Sequence, residues 1–265
     1  MHNSPWIVAH NAVRNPQLRL FCFPYAGGGA STYRKWSPCL PTGVELLAAQ
    51  MPGRETRLNE PPLRDMDLVV ARLATAIEPL LDRPFAFFGH SLGALIAFEL
   101  TRLLRSRGHR LPEHLVVSGR RAPNVPRERR ALHDLPDNEL IDEIRKMSGT
   151  SEAVLQNDEL MALVLPTLRA DFAVHDTYCY RQEAPLDVPI SIFGGLDDIA
   201  TTPENLSAWN AMTTREARLS LFRGGHFFIE DARGEVLAAL ERALLGVLRP
   251  RGDQSSARLA ISNPG

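Results

Sequence analysis

A serine between two glycines, at the junction of a predicted strand and a predicted helix, constrains the fold of this chain most strongly. Residues 89–93 read Gly-His-Ser-Leu-Gly; they follow the apolar run 85–88 and precede a helical pattern that begins near Leu95. A sharp strand-to-helix turn strains the backbone of its central residue, so the positions two before and two after it have almost no room for a side chain. The pattern therefore predicts that Ser91 is a nucleophile held at a tight turn. The alternative is an ordinary turn with a solvated serine.

Composition indicates one globular domain, and the net charge does not favour binding to nucleic acid or to a membrane surface. The chain has 265 residues, of which 44% are hydrophobic and 23% charged, which is ample for one buried core with room for an inserted subdomain. The formal net charge of −1 supplies no overall field that would attract nucleic acid or a membrane surface. We therefore expect the function to depend on a local site.

Cysteine usage and hydropathy favour a cytoplasmic protein with no metal. The three cysteines, Cys22, Cys39 and Cys179, have no Cys-x-x-Cys spacing, so neither a disulfide framework nor a zinc site is expected. The first residues lack a basic segment followed by a long apolar stretch, which argues against a signal peptide. No apolar run approaches the ~18 residues of a membrane span.

Short apolar strands alternate with amphipathic helices along most of the chain. Strands are predicted at residues 18–23, 44–49, 85–88, 115–118, 189–193 and 218–222. Helices are predicted at residues 66–81, from the Ser91 turn to about Arg107, and at 234–247. This alternation predicts an α/β fold with a mostly parallel central sheet and helices on both of its faces.

One long segment interrupts the alternation. Residues 127–183 contain helical patterns but no convincing strand, and they stand between two predicted strands. We predict a helical lid inserted in a domain that spans residues 1–248; a pair of ordinary crossover helices is the alternative. Apolar residues of the segment are candidates to line a pocket over Ser91 or, alternatively, only to hold the lid helices together: Met161, Leu163, Val164, Leu168 and Phe172. The polar residues 249–265 predict a disordered tail.

Ser91 at such a turn resembles the nucleophile elbow of α/β-hydrolases, in which an acid and then a histidine follow along the chain, each after a strand. His226 is the only histidine after the acid candidates, and it follows the last predicted strand. We predict that it takes the proton of Ser91 and later gives it to the leaving group. Two adjacent acids, Asp197 and Asp198, follow the strand at 189–193, and their spacing does not decide which of them contacts His226.

An acyl-transfer site also needs two backbone N–H groups that stabilise negative charge on oxygen. One is that of Leu92, directly after Ser91, and the second comes from the glycine-rich loop at residues 24–29. This loop has no Gly-Lys-Ser/Thr and no Gly-x-Gly-x-x-Gly pattern, so nucleotide binding is not expected. Three further acids are more consistent with solvated or capping groups: Asp171, Asp176 and Glu230.

Five short motifs, in order along the chain, resemble one enzyme family. They are Phe-Pro-Tyr-Ala-Gly-Gly at 23–28, Met-Pro-Gly-Arg-Glu at 51–55, Gly-His-Ser-Leu-Gly at 89–93, Ser-Gly-Arg-Arg-Ala-Pro at 118–123 and Gly-Gly-His-Phe-Phe at 224–228. Together they are similar to the external, or type II, thioesterases that serve polyketide synthases and nonribosomal peptide synthetases. The resemblance covers residues from about 18 to 248.

The resemblance implies an α/β-hydrolase fold with a helical lid. It implies hydrolysis of acyl thioesters carried on the phosphopantetheine arm of acyl carrier or peptidyl carrier domains, in order to remove stalled or wrong acyl groups. The family's acid stands third after a pair of glycines, which implies Asp198, although Ile199 replaces the proline usually found next to it. The family's second N–H donor corresponds to Ala26. No cofactor beyond the carrier's own phosphopantetheine is implied.

Other reactions are compatible with the same serine, histidine and acid. A carboxylesterase or lipase would use them on oxygen esters, and an acyltransferase would replace water with an alcohol or an amine. A non-catalytic binding protein is a further alternative, which the intact set of three residues disfavours.

A group of arginines precedes the predicted lid: Arg120, Arg121, Arg127, Arg129 and Arg130. Arginine pairs well with phosphate, so these residues are candidates to contact the phosphopantetheine phosphate or an acidic carrier surface. The alternative is a solvated arginine-rich loop.

Overall fold

A computed structural model of the chain describes residues 4–126, 130–147, 149 and 151–248. The predicted tail at 249–265 lies outside the described residues, and so do two members of the arginine group, Arg127 and Arg129. The following description concerns the described residues.

A single sheet of seven strands runs through the molecule in the order β1-β3-β2-β4-β5-β6-β7. The strands are β1 (Ile7–Ala9), β2 (Leu18–Phe23), β3 (Val44–Ala49), β4 (Phe85–His90), β5 (His114–Ser118), β6 (Ile190–Gly195) and β7 (Ala217–Phe222). All neighbouring strands are parallel except β1, which pairs antiparallel with β3. This confirms the predicted mostly parallel sheet. The edge strand β1 was not predicted, because three residues are too few to show an alternating pattern.

Eight α-helices surround or extend the sheet. They are α1 (Met66–Ile77), α2 (Leu92–Ser106), α3 (Asp137–Met147), α4 (Glu152–Leu155), α5 (Asp158–Asp176), α6 (Pro203–Ser207), α7 (Phe228–Asp231) and α8 (Arg233–Leu248). α1 ends earlier than its apolar pattern suggests, because Pro79 lacks an N–H and the chain tightens into a 3₁₀ turn at Glu78–Leu80. None of the helices in the described ranges is both long and apolar enough to cross a membrane.

Both faces of the sheet are buried under helices. On β2, Leu20 packs into a hydrophobic cluster with Leu240 of α8, whereas the next residue, Phe21, packs into a second cluster with Leu73 of α1 and Leu95 of α2. Successive side chains of a strand point to opposite faces, so a strand covered on both sides is apolar at every position. This explains why residues 85–88 of β4 read as a continuous apolar run and why β2 is apolar except at Arg19, which forms ion pairs with Glu45 and Asp82.

Within its described residues, the inserted segment, residues 127–183, consists of helices joined by loops and contains no strand. It contributes α3, α4 and α5, which join β5 to β6 and hold a small hydrophobic cluster of their own. α5 begins as its sequence predicts, because the Asn157 side chain accepts a hydrogen bond from the N–H of Leu160 and caps the first turn. The short α4 was not predicted.

Candidate active site

Ser91 stands at the turn between β4 and α2, in a backbone conformation that is rare for a residue with a side chain. Its φ is +54° and its ψ is −113°, and its N–H donates to the Ser118 carbonyl at 2.8 Å. A Cβ atom on Gly89 would lie 2.1 Å from the Gly93 carbonyl oxygen, and one on Gly93 would lie 2.0 Å from the Phe23 carbonyl oxygen. The two glycines therefore permit a contact between backbones that any side chain would prevent. This close approach brings Ser91 to the end of the sheet.

His226 and Asp198 complete a chain of hydrogen bonds that begins at Ser91. The Nε2 atom of His226 lies 3.0 Å from Ser91 Oγ, and its Nδ1 atom lies 2.8 Å from Asp198 Oδ2. An ionised carboxylate can only accept, so Nδ1 carries the proton towards Asp198 and Nε2 is left to accept from the serine hydroxyl. The adjacent acid, Asp197, is exposed and does not take this place; its backbone N–H donates to the Gly224 carbonyl at 3.0 Å.

Asp198 is held in its charged form by its neighbours. The Asp198 side chain is only 1% exposed. Burial alone would raise the pKa of this carboxyl, but hydrogen bonds from His226, Thr201 and the Ala200 N–H, with the charge of His226, outweigh burial and hold the pKa below its usual value. A charged Asp198 can orient the imidazole and stabilise it once it has gained a proton.

His90, next to Ser91, is directed away from the serine hydroxyl. Its Nδ1 atom lies 2.9 Å from Ser118 Oγ, and its ring is fully buried, 5.2 Å from the ring of His226 between centroids. Burial holds the pKa of His90 well below its usual value, and the nearby His226 acts in the same direction. His90 is therefore a neutral packing residue beneath the Ser91 turn.

The glycine-rich loop forms a tight turn beside Ser91. The Gly28 N–H donates to the Tyr25 carbonyl at 2.9 Å, and Gly27 has a φ of +79°. These are the features of a type II turn, in which Ala26 and Gly27 are the central residues and the second of them must tolerate a positive φ. Among the described residues, the N–H groups of Ala26 and Leu92 donate to no other group, and both residues line the same cavity as Ser91.

Asp171 is buried, whereas the sequence favoured a solvated or capping group. Its side chain is 3% exposed and forms a bidentate ion pair with Arg54, with N–O distances of 2.7 and 2.8 Å. It also accepts the Gly27 N–H at 2.7 Å. The signal for this burial was present, because Asp171 interrupts an apolar stretch of α5, and a charge in such a place needs a partner.

The Asp176 side chain is also buried, so of the two predicted roles, solvated or capping, the first is wrong. It accepts hydrogen bonds from the N–H groups of Leu132 and His133 and from the rings of His133 and His175. These bonds tie the C-terminus of α5 to the start of the inserted segment. The third acid of the group, Glu230, is partly exposed on α7 and does not contact Ser91.

A cavity of about 890 Å³ lies over Ser91, between the sheet and the inserted segment. Of the five predicted lining residues, only Phe172 reaches it. Met161 and Leu168 pack within the segment's own cluster, Val164 lies against that cluster, and Leu163 is 49% exposed. Met161, Val164 and Leu168 therefore follow the alternative, in which they hold the helices of the segment together, because α5 turns most of its apolar residues towards its neighbours. Leu163 follows neither prediction. Besides Phe172, the apolar lining includes Ala26, Leu92, Leu132, Leu135, Met147, Ile199, Ala200 and Phe227.

Three of the predicted arginines, Arg120, Arg121 and Arg130, line the same cavity. Arg120 is almost fully buried, and Arg130 forms an ion pair with Glu139 of α3 at 2.9 Å. The cavity is therefore lined by apolar residues and by charged residues of both signs, with the exposed Arg130 side chain at its rim.

Comparison with known proteins agrees with this geometry. The family model described as a thioesterase domain matches residues 18–244. The gramicidin S biosynthesis protein GrsT of Aneurinibacillus migulanus is 44% identical, over 93% of this chain and 96% of that protein. The thioesterase PikA5 of Streptomyces venezuelae is 39% identical, over 91% of this chain and 85% of the relative.

One solved structure is similar to this chain in both fold and sequence. The type II thioesterase BorB, from the borrelidin biosynthetic cluster, superposes with a TM-score of 0.85 and 36% identity, over 94% of this chain and all of that chain. The match of the family model, the identity to whole relatives and the common fold lead to one conclusion. The chain belongs to the thioesterase family, and it is a serine-type α/β-hydrolase similar to the type II enzymes of that family.

Proposed function

We propose that this protein is an editing thioesterase, which hydrolyses acyl groups from the phosphopantetheine arm of acyl carrier or peptidyl carrier domains in a polyketide or nonribosomal peptide pathway. The observation that carries the proposal is the chain of hydrogen bonds from Ser91 through His226 to Asp198 at the floor of a large cavity. The choice of substrate is supported by the likeness to the gramicidin S biosynthesis protein GrsT, to the thioesterase PikA5 and to BorB, a type II thioesterase from the borrelidin biosynthetic cluster.

Acylation begins when Ser91 Oγ attacks the thioester carbonyl carbon. His226 Nε2 takes the hydroxyl proton, and Asp198 stabilises the imidazolium that results. The N–H groups of Ala26 and Leu92 stabilise the negative charge on the carbonyl oxygen. The carbon–sulfur bond then breaks, and His226 returns the proton to the departing thiolate. The products are an acyl ester on Ser91 and the free thiol of the phosphopantetheine arm.

Deacylation repeats these steps with water as the nucleophile. The water oxygen attacks the ester carbonyl carbon while His226 takes a proton from the water. The N–H groups of Ala26 and Leu92 stabilise the second tetrahedral intermediate. When the ester bond breaks, His226 gives the proton back to Ser91 Oγ. The enzyme is regenerated, and the acyl group leaves as a carboxylic acid.

We propose that the inserted segment is a lid over this site and that residues 1–248 form one hydrolase domain. The apolar part of the cavity would hold the acyl chain, and the arginines at its rim, Arg121 and Arg130, would lie near the phosphate of the arm or near an acidic carrier. The cysteines Cys22, Cys39 and Cys179 are all free, which fits a reducing compartment, so we place the protein in the cytoplasm.

A direct test compares three substrates that carry the same acyl group: an acyl-carrier protein, acyl-CoA and a p-nitrophenyl ester. The proposal predicts the highest kcat/KM on the acyl-carrier protein and release of the free acid. A higher value on the oxygen ester would favour a carboxylesterase. Transfer of the acyl group to an added alcohol or amine, in preference to water, would favour an acyltransferase.

A further inference from the structure

The turn that carries Ala26 is anchored to the inserted segment by a buried ion pair. Asp171 of α5 accepts the Gly27 N–H at 2.7 Å through Oδ2, and the same oxygen accepts from Arg54 at 2.7 Å. Arg54 also donates to the Gly28 carbonyl at 3.0 Å. Two peptide groups of the loop, Ala26–Gly27 and Gly28–Gly29, are thus held by two charged side chains.

We propose that Asp171, paired with Arg54, is a positioning residue that fixes the direction of the Ala26 N–H. This inference rests on the proposed function, because it takes Ala26 as a donor to the oxyanion. Rotation about the bond between Cα and the carbonyl carbon of Ala26 moves the Ala26–Gly27 peptide group. Asp171 holds the N–H of that group, and the Gly28 N–H holds the carbonyl of the Tyr25–Ala26 group, to which the Ala26 N–H belongs, at 2.9 Å. Both peptide groups that meet at Ala26 are thus held, so the Ala26 N–H keeps its direction.

The buried ion pair suits this task for reasons of charge as well as shape. The Arg54 and Asp171 side chains are 7% and 3% exposed, so water does not compete for the carboxylate. A lone carboxylate at this distance from the turn would oppose the negative charge that develops on the oxyanion. Arg54 neutralises the carboxylate by donating to both of its oxygens, and Oδ2 accepts the Gly27 N–H in addition.

The same contact couples the donor to the inserted segment. A Cβ atom on Gly27 would lie 2.6 Å from Leu168 Cδ2 of α5, so this helix packs directly on the turn. Phe172, next to Asp171, lines the cavity. A displacement of α5 away from the sheet would therefore have two effects at once. It would open the cavity, and it would remove the contacts that hold the Ala26 turn. Hydrolysis then requires the segment to be seated on the sheet.

The test compares Asp171→Leu, which removes the acceptor, with Asp171→Asn, whose amide oxygen can still accept the Gly27 N–H. The matched control is Thr167→Val on the same helix, because Thr167 Oγ1 donates to the Gly53 carbonyl and does not touch the Ala26 turn. Turnover of p-nitrophenyl butyrate is divided by the number of sites that a fluorophosphonate labels at completion. Melting temperatures are recorded in parallel.

We expect Asp171→Leu to lower kcat per labelled site by about tenfold to a hundredfold with little change in KM, since a donor to the oxyanion acts in the transition state. Asp171→Asn should stay within about fivefold of the wild type, although both variants leave Arg54 without its ionic partner and lower the melting temperature. Thr167→Val should lower the melting temperature without changing kcat per site. If kcat per site is unchanged in Asp171→Leu, or falls equally in all three variants, the inference is wrong.

Arg54→Lys is the second variant if Asp171→Leu does not fold. Lysine keeps the charge but cannot pair with both carboxylate oxygens and the Gly28 carbonyl together, so kcat per site should fall by about fivefold or more. An unchanged value would overturn the inference. The ester assay does not depend on the natural substrate. If the wild type does not hydrolyse the thioester of an acyl-carrier protein, the proposed function is contradicted. The ester assay of the Asp171 variants can still be interpreted in that case.

Discussion

The Nε2 atom of His226 lies 3.0 Å from the Oγ atom of Ser91, although the two residues are 135 positions apart in the chain. Sheet topology explains this contact. β4, β6 and β7 are parallel, and Ser91, Asp198 and His226 each follow the carboxyl end of one of them. The carboxyl ends of parallel strands meet at one edge of the sheet, so loops that are distant in sequence supply one site.

The contact with Asp198 predicts unequal effects of two neighbouring substitutions. Asp198→Asn should lower kcat by about 10⁴, because the amide no longer fixes the imidazole with Nε2 free to accept a proton. Asp197→Asn should change kcat by no more than about twofold, because Asp197 is exposed and away from His226. Steady-state kinetics of both variants on one thioester provide the comparison, and the reverse ranking would refute the assignment of Asp198.

The cavity lining predicts which position determines the preference for acyl-chain length. Leu132 lines the cavity, whereas Leu163 of the same inserted segment points away from it and is 49% exposed. Leu132→Trp should lower kcat/KM for long acyl chains by about tenfold relative to short ones, because the larger side chain occupies the space of the chain. Leu163→Trp is the matched control and should leave the preference unchanged. Equal losses on all chain lengths, in parallel with the melting temperature, would show that Leu132 only supports the fold.

The arginines before α3 predict a dependence of carrier recognition on charge. Reversal of Arg127, Arg129 and Arg130 to glutamate should lower kcat/KM on an acyl-carrier protein and weaken its response to added salt, because electrostatic steering acts mainly on association. Hydrolysis of a small p-nitrophenyl ester should hardly change. A parallel loss on both substrates would mean that these residues support the fold and do not dock the carrier.

Burial of His114 predicts that the free energy of unfolding decreases at acidic pH. Its ring bonds to Ser191 Oγ at 2.8 Å, and burial lowers the pKa of His114 from 6.5 to about 4. Between these values the unfolded chain binds the proton and the folded chain does not, so stability is present above pH 6.5 and is lost as the pH falls. From pH 7 to pH 5 this loss amounts to about 2 kcal/mol.

The measurement is urea unfolding of the wild type and of His114→Gln at pH 7 and pH 5. Glutamine can still bond to Ser191 but has no proton to gain, so the wild type should lose about 2 kcal/mol more than the variant. Equal losses in both proteins would mean that His114 titrates normally in the folded state.

The strands and the Ser91 turn could be predicted because their causes are local. Six of the seven strands, β2 to β7, follow from short, apolar-rich runs with glycine or proline within three residues of their ends, and the turn follows from the steric need for Gly89 and Gly93. The residues alone did not choose between Asp197 and Asp198, because two adjacent side chains in a loop are equivalent until the loop is folded. The family resemblance favoured Asp198, and in the structure this residue bonds to His226.

The cavity lining and the Arg54–Asp171 ion pair could not be predicted for a different reason. Both depend on how α5 is rotated against the sheet, and Arg54 and Asp171 are 117 positions apart. Sequence periodicity gives the apolar side of a helix but not which neighbour covers each part of it. Leu168 and Phe172, one turn apart, illustrate the difference, since the first packs on Gly27 and only the second lines the cavity.

We expect Ser91 to attack the acyl thioester, and removal of its hydroxyl tests this role most directly. Hydrolysis of an acyl-carrier protein by Ser91→Ala is compared with that of the wild type, together with circular dichroism of both proteins. The variant should keep the native spectrum, because the turn depends on Gly89 and Gly93, and should lose about four or more orders of magnitude in kcat. Retention of most of the activity by a variant with a native spectrum would contradict the covalent mechanism.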